Sequence, residues 1–380
     1  MTDCVQGMGY RHSHGRNRYG VPSAAERLGA DPFATKIVCN HCRVEMTPQS
    51  GRLDLGWVGD GAYAEWLEAD GLGGFASGTV SGARSRRYHA LLLTATRPPT
   101  GRFVLVNGFD AFVTTPAGRF AISSQRYAPD VTHPDGASSL ESFTADPWPH
   151  WTFALPDATV VEQEIFVPHG VSACVVTWRV QSKLHKPKSK IVLEVRPFFS
   201  GRDYHALHHE NPAFRMEPED LGGPLRFRPY DGAPGVVVRC NADYAHEPAW
   251  YRNFLYEEER ARGLDFTEDL ASPGIFRFDL GKGEAVWTLS ADGHEKALGQ
   301  GAAPVFVARL RSAERKRRKA LGGRLERAAD AYLARRGGGK TIVAGYPWFT
   351  DWGRDTFIAL RGLCLATGRL DEAGQILLEW

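Results

Sequence analysis

The residues with the best claim to chemistry lie near the C-terminal end of this 380-residue chain, in the run 345–355, GYPWFTDWGRD. Two flat indole rings, Trp348 and Trp352, stand beside three charged side chains, Asp351, Arg354 and Asp355. Aromatic faces stack on the C–H surfaces of pyranose rings and charged groups hydrogen-bond to hydroxyl pairs, so the combination suits a sugar subsite. Placed at a helix start, Asp351 and Asp355 are i and i+4 and share one face. An equally direct reading makes Asp351 an N-cap and pairs Arg354 with a nearby carboxylate. Could the two aspartates be a glycosidase acid and base? Neighbours at i and i+4 lie about 5–6 Å apart at Cβ and point the same way. An inverting hydrolase needs carboxyls about 6.5–9.5 Å apart, on opposite faces of the sugar. Both are therefore read as substrate-holding groups, with catalysis located elsewhere.

The elements that must position this run are legible as a pattern. A helix is expected from Asp351 to Thr367, with Phe357, Leu360 and Cys364 on one side, Ile358 and Leu365 on another, and Gly368 as its stop. A second follows with Leu370, Ala373, Leu377 and Trp380 at helical spacing. Apolar helical hairpins bury their faces against further helices, so the chain reads as a truncated, N-terminal part of a longer helical domain, 340–380 being only its start. Upstream, Pro304–Arg336 reads as a helix within a linker, 301–339, with the cationic run Arg315–Lys319 expected on a solvated face. Gly337, Gly338 and Gly339 are expected to end that helix and open a loop.

Between 51 and 300 the chain changes character. Short β-branched and aromatic runs (Arg87–Leu93, Arg102–Asn107, Thr159–Val167, Ala173–Val180, Lys190–Val195, Gly235–Arg239, Ile275–Leu280) are punctuated by Gly, Pro and Asp, without helices regularly between them. That spacing predicts a large antiparallel β-sandwich rather than a doubly wound sheet. Residues 1–50, rich in Gly, Arg, His and Ser, have little to bury and are expected to be a disordered leader.

Several motifs are set aside on physical grounds. Cys39 and Cys42 make a CxxC, but a structural zinc site needs four ligands and only His12, His14 and His41 lie near in sequence. Gly71, Gly73 and Ala76 fit a dinucleotide fingerprint, yet no buried strand precedes them. Gly339, Lys340 and Thr341 end like a P-loop, but Ala334 stands where its first glycine belongs. His205 and His209 are one helical turn apart but lack a third ligand, and 202–210 reads better as a loop packing against a neighbouring domain. None of these motifs is read as a metal or nucleotide site. The formal charge of +2 gives no argument for a nucleic-acid or acidic-membrane partner. No apolar run approaches the roughly 20 residues of a bilayer span. With no signal peptide and six scattered cysteines, a cytoplasmic location is expected.

The stretch Thr341–Leu363 (TIVAGYPWFTDWGRDTFIALRGL) resembles the opening of the catalytic domain in glycogen debranching enzymes of the bacterial and archaeal type, the amylo-α-1,6-glucosidases. Glu65–Leu93 resembles the opening of that family's N-terminal domain, and Arg202–Asn211 an internal motif of it. The resemblance covers about 50–380. It departs at Asp70, where the family usually has Asn, and at Ala90, where it often has Gly. The resemblance implies a β-sandwich (supersandwich) joined by a helical linker to an (α/α)6 barrel, here only its first hairpin. It also implies cofactor-free hydrolysis of α-1,6-linked glucosyl stubs on glycogen or a branched α-glucan, with inversion. On this basis Trp348, Asp351, Trp352, Arg354 and Asp355 are expected to grip the terminal glucose. The catalytic acid and base are expected beyond Trp380. A non-catalytic α-glucan-binding module and a related six-hairpin α-glucosidase of different substrate are the alternatives.

Overall fold

Alternation of apolar and polar residues is what builds most of this molecule. In the strand Val192–Asp203, Leu193 and Val195 are buried while Glu194 and Arg196 lie on the opposite side, as the two-residue period of a pleated strand requires. The computed structural model describes residues 52–53, 63–181 and 190–380, so the leader and the CxxC readings lie outside the described residues.

Two large sheets with antiparallel pairing result. In spatial order the first contains Arg52–Leu53, Leu140–Thr144, His150–Ala154, Val160–Phe166, Ala173–Val180, Ala285–Ala291, Val236–Cys240, Leu225–Phe227 and Pro218–Asp220. The second runs Glu65–Ala69, Phe75–Thr79, Ala90–Arg97, Thr100–Thr115, Val192–Asp203, Thr267–Asp279, Asp243–Leu255, Ser124–Tyr127 and Val131–Asp135, with Gly118–Ala121 paired to the end of Thr100–Thr115. Their facing sides share one aromatic core. Phe109 of the second sheet meets Trp178 and Trp287 of the first edge-on, at 5.5 and 5.9 Å between ring centres. Phe276 lies 5.9 Å from Trp287. Edge-to-face contacts of this kind add about 0.5–1.5 kcal/mol each beyond area burial.

The far side of the first sheet is covered by the helix Ala303–Leu321. Its Phe306 and Val307 pack with Trp148 and with Phe166, Val175 and Val286, strand residues that alternate with those facing the main core. The cationic run behaves differently from the expected solvated face. Arg315 is largely exposed, but Arg318 turns inward to pair with Glu68, and Arg317 lies 2.5 Å from Asp330. A helix lying on a sheet buries a stripe of its surface. Two arginines of the run fall on that stripe, where carboxylates meet them.

Helix also stops earlier than the composition suggests. After Arg324–Tyr332 the chain becomes a strand, Leu333–Arg336, hairpinned to Gly339–Gly345, which pairs in turn with Phe349–Asp351. Gly337 and Gly338 form the two-residue turn rather than a loop. Gly337 has a left-handed φ of +49°, and the Glu379 carboxylate occupies the place of its missing Cβ. Local helix preference in 333–336 yields to cross-strand pairing. The helix expected from Asp351 spans Gly353–Leu360, passes into a wider turn at Arg361–Leu365, and precedes Leu370–Glu379.

Candidate functional site

The motif 345–355 sits where this small sheet meets the large one, and three stretches far apart in sequence build the junction. The Arg102 guanidinium, buried on the strand Thr100–Thr115, lies 5.4–5.7 Å from the rings of Phe75, Tyr204 and Tyr346. One nitrogen, Nη1, donates to the Phe349 carbonyl at 2.9 Å. The Tyr204 hydroxyl donates to the Trp348 carbonyl at 3.0 Å. Phe75 and Tyr346 meet edge-on at 5.3 Å. On the other side of the hairpin, the Arg335 amide donates to the Gly71 carbonyl at 2.9 Å. The loop 70–74 is shaped for close approach, since the His169 ring occupies the space a Cβ on Gly71 (φ +73°) would need.

The five residues expected to grip a sugar occupy different environments. The Trp348 ring has the guanidinia of Arg86 and Arg262 each 5.4 Å from its centre, and packs with Phe75, Tyr88 and Tyr204. Asp351 closes the strand Phe349–Asp351; its side chain is only 4% exposed and pairs with Arg336 at 2.5 Å. Arg336 in turn lies over the Trp380 ring at 3.7 Å, and the Trp380 indole donates to Thr341 Oγ1 at 3.1 Å. Trp352 occupies the N-cap position of Gly353–Leu360 and is 64% exposed. Arg354 is exposed, with its Nε 3.1 Å from Asp355 Oδ1.

This placement corrects two expectations. Asp351 and Asp355 are not i and i+4 of one helix, because the first belongs to a strand, and the cap position falls to Trp352 instead of Asp351. The cause is the hairpin: Val343 pairs with Asp351 and holds it extended. What the fold presents to solvent is the group Trp352, Arg354 and Asp355, with the exposed ring of Phe349 one strand earlier. A free indole face beside a linked donor and acceptor is the equipment for stacking a sugar ring and bonding two hydroxyls.

Residues 64–287 match the family described as glycogen debranching enzyme N terminal, and residues 327–380 match amylo-alpha-1,6-glucosidase. The chain belongs to the glycogen debranching enzyme family. Among solved structures it is similar to a bacterial glucoamylase complexed with acarbose, at 12% identity and a TM-score of 0.41, covering 83% of this chain and 47% of that one. It is also similar to a putative kojibiose phosphorylase from human microbiome, at 9% identity and a TM-score of 0.25, covering 71% of this chain and 30% of that one. The chain thus spans less than half the length of either.

In this debranching-family chain, the junction holds a buried carboxyl that spacing alone could not assign. Asp70 Oδ1 accepts the Leu72 amide at 2.6 Å, while Oδ2 has no hydrogen-bond partner among the described residues. Burial pushes its pKa up to about 7, against the pull of the Leu72 and Gly74 amides and of Arg102. Arg102 itself was not signalled: one arginine opening a strand-like run carries no motif. The stretch 202–210 was readable as a packing segment, and its histidines diverge. His205 Nδ1 lies 3.1 Å from the Tyr88 hydroxyl, His208 is held by Tyr230 and the Asp269 carbonyl, and His209 points to solvent beside Asp269. Its anchor is the ion pair of Arg202 with the fully buried Glu268.

Proposed function

We propose that this protein is a glycoside hydrolase that removes α-1,6-linked glucosyl stubs from glycogen or a similar branched α-glucan with inversion. Within it, this chain supplies the β-domain and one wall of the glucose subsite. The observation that carries the reading is the exposed group Trp352, Arg354 and Asp355 on a hairpin clamped to the β-domain through Arg102 and Tyr204. Trp352 is the stacking platform, and Arg354 and Asp355 take a hydroxyl pair. Trp348 and Asp351, already engaged by arginines, hold the subsite in place. The acid and base are neither of these aspartates: Asp351 is enclosed in its ion pair, and Asp355 is bound to the adjacent Arg354. No metal or organic cofactor enters the reaction so read.

A cytoplasmic setting belongs to the same proposal, supported by free thiols at Cys174, Cys240 and Cys364. Among the described residues no helix is long and apolar enough to cross a membrane, which says nothing of strands.

Two measurements test it. Titration of the purified chain with maltotriose is expected to show weak binding that Trp352→Ala reduces, and incubation with limit dextrin is expected to release no glucose. Unchanged affinity in the variant contradicts the platform. Glucose release by this chain contradicts the assignment of the acid and base elsewhere.

A further inference from the structure

A second cavity, remote in sequence from the motif 345–355, opens on the side of the ten-stranded sheet turned away from the main core. It is formed by side chains that alternate with core residues: Asp110 and Phe112 between Phe109, Ala111 and Val113, and Glu194 and Arg196 beside Leu193 and Val195. Arg119, Tyr251 and Ile275 complete its walls around about 230 Å3. That is below the roughly 300–1,000 Å3 of sites for drug-sized ligands, and is the scale of one sugar ring.

Its chemistry is balanced. Two guanidinia face two carboxylates, so the cavity carries no net formal charge and has no preference for an ion. Arg119 Nε lies 3.2 Å from Glu194 Oε2, and the Arg196 guanidinium is tied to Glu247, with Nη1 donating to its carbonyl at 2.9 Å. Asp110 is 6% exposed; its Oδ1 accepts from Gln125 Nε2 at 3.0 Å and lies 3.5 Å from Ser123 Oγ, leaving Oδ2 with no donor among the described residues. That oxygen is not enclosed by protein, so it is open on the cavity side and can accept from a donor that enters. Two aromatic rings, Phe112 and Tyr251, stand on the same wall set, with Arg119 resting 3.6 Å over the first and Arg196 5.9 Å over the second. These side chains come from separate strands held by the sheet itself, so the geometry is preformed.

We infer that this cavity is a second, non-catalytic subsite for a neutral pyranose unit of an α-glucan, with Tyr251 as platform and Asp110 as hydroxyl acceptor. The inference rests on the proposed α-glucan reading but concerns a separate surface. It makes the β-domain a holder of the polymer at a distance from the hairpin site, so the two sites acting together raise apparent affinity for a branched chain by raising its effective concentration.

Maltotriose titration of four purified proteins, followed by line broadening of the sugar's NMR signals, tests it: the unaltered chain, Trp352→Ala, Tyr251→Ala and the double variant. The Trp352→Ala protein is expected to keep saturable binding that falls about tenfold or more when Tyr251→Ala is added. Asp110→Asn in the Trp352→Ala background replaces that comparison if Tyr251→Ala does not fold. Residual binding unchanged by either second substitution, or no binding once Trp352 is removed, overturns the second subsite. Loss of binding on Tyr251→Ala with none on Trp352→Ala would instead keep this subsite and remove the hairpin one.

Discussion

Arg102 and Phe349, 247 residues apart, are joined by a 2.9 Å hydrogen bond from guanidinium to carbonyl across the junction between the β-domain and the C-terminal hairpin. The bond holds a backbone rather than a side chain, so it fixes the strand from which Asp351 and Trp352 emerge. A hydrogen bond from a charged donor contributes about 1.5–3 kcal/mol. Arg102→Met keeps much of the volume inside the cage of Phe75, Tyr204 and Tyr346 but removes the donor. Its expected effect is a lower unfolding midpoint in urea and faster amide exchange across Gly339–Asp351. Protection of that hairpin identical to the unaltered protein would show that Arg102 is mere filling.

Asp70 gives the junction a pH dependence of definite sign. Its folded-state pKa is raised from 3.8 to about 7, chiefly by burial. Below about pH 4 both folded and unfolded chains hold the proton, and the group is neutral towards stability. As pH rises from about 4 to 7 the unfolded chain releases the proton first, so folding loses stability; above about 7 the loss levels off. At about 1.36 kcal/mol per pH unit across that window, the loss amounts to a few kcal/mol. Asp70→Asn, nearly the same shape, is expected to be more stable than the unaltered chain at pH 8 and to differ little at pH 4. Parallel stability curves for the two proteins between pH 4 and 8 would contradict the assignment.

Much of the architecture was legible because periodicity reports burial directly. Ala173–Val180 has the strand bounds its pattern implies, and the two-residue alternation there separates Val176 and Trp178, in the main core, from Val175, under the helix. Limits appeared where a local preference competes with a distant partner. Leu333–Arg336 is compatible with helix in isolation and becomes a strand only because Gly339–Ile342 pairs with it. The candidate site shows the same division. Its residue types suggested a sugar-binding cluster, which stands as a proposal, and which of its side chains face solvent depends on arginines from elsewhere: Arg336 covers Asp351, and Arg86 and Arg262 flank Trp348. No spacing rule within 345–355 contains that information.

A chain of buried charge ties the linker helix to both neighbours, and it is expected to be sensitive to the loss of one member. Arg318 pairs with Glu68 of the β-domain and, at 2.8 Å, with Glu314; Arg317 reaches Asp330 at 2.5 Å, and Arg369 reaches the same carboxylate at 2.9 Å. Burial raises the Glu68 pKa despite Arg318 beside it. Removing one partner of a buried pair leaves an uncompensated charge and costs about 3–5 kcal/mol, whereas replacing both by apolar groups is often neutral. Arg318→Met alone should therefore destabilise strongly, and Arg318→Met with Glu68→Leu should recover most of the loss. A double variant as unstable as the sum of its singles would mean that the two residues act independently.

Trp352 separates stability from binding more cleanly than any other residue of the motif. Its side chain is mostly exposed and contributes the cap position through backbone alone: its carbonyl accepts the Thr356 amide at 2.8 Å. Substitution by Ala preserves that bond, so unfolding midpoints should move little, within about 0.5 kcal/mol as for surface changes generally. Affinity for an α-glucan oligosaccharide should nevertheless fall, by about tenfold for each 1.4 kcal/mol of stacking lost. Asp351→Asn is the contrasting case, because it weakens the pair with Arg336, which also covers Trp380, and so disturbs the hairpin before it disturbs the sugar. Calorimetric titration beside urea unfolding distinguishes the two. A Trp352→Ala protein that loses stability in proportion to affinity would place this ring in the packing of the hairpin instead of at a sugar's face.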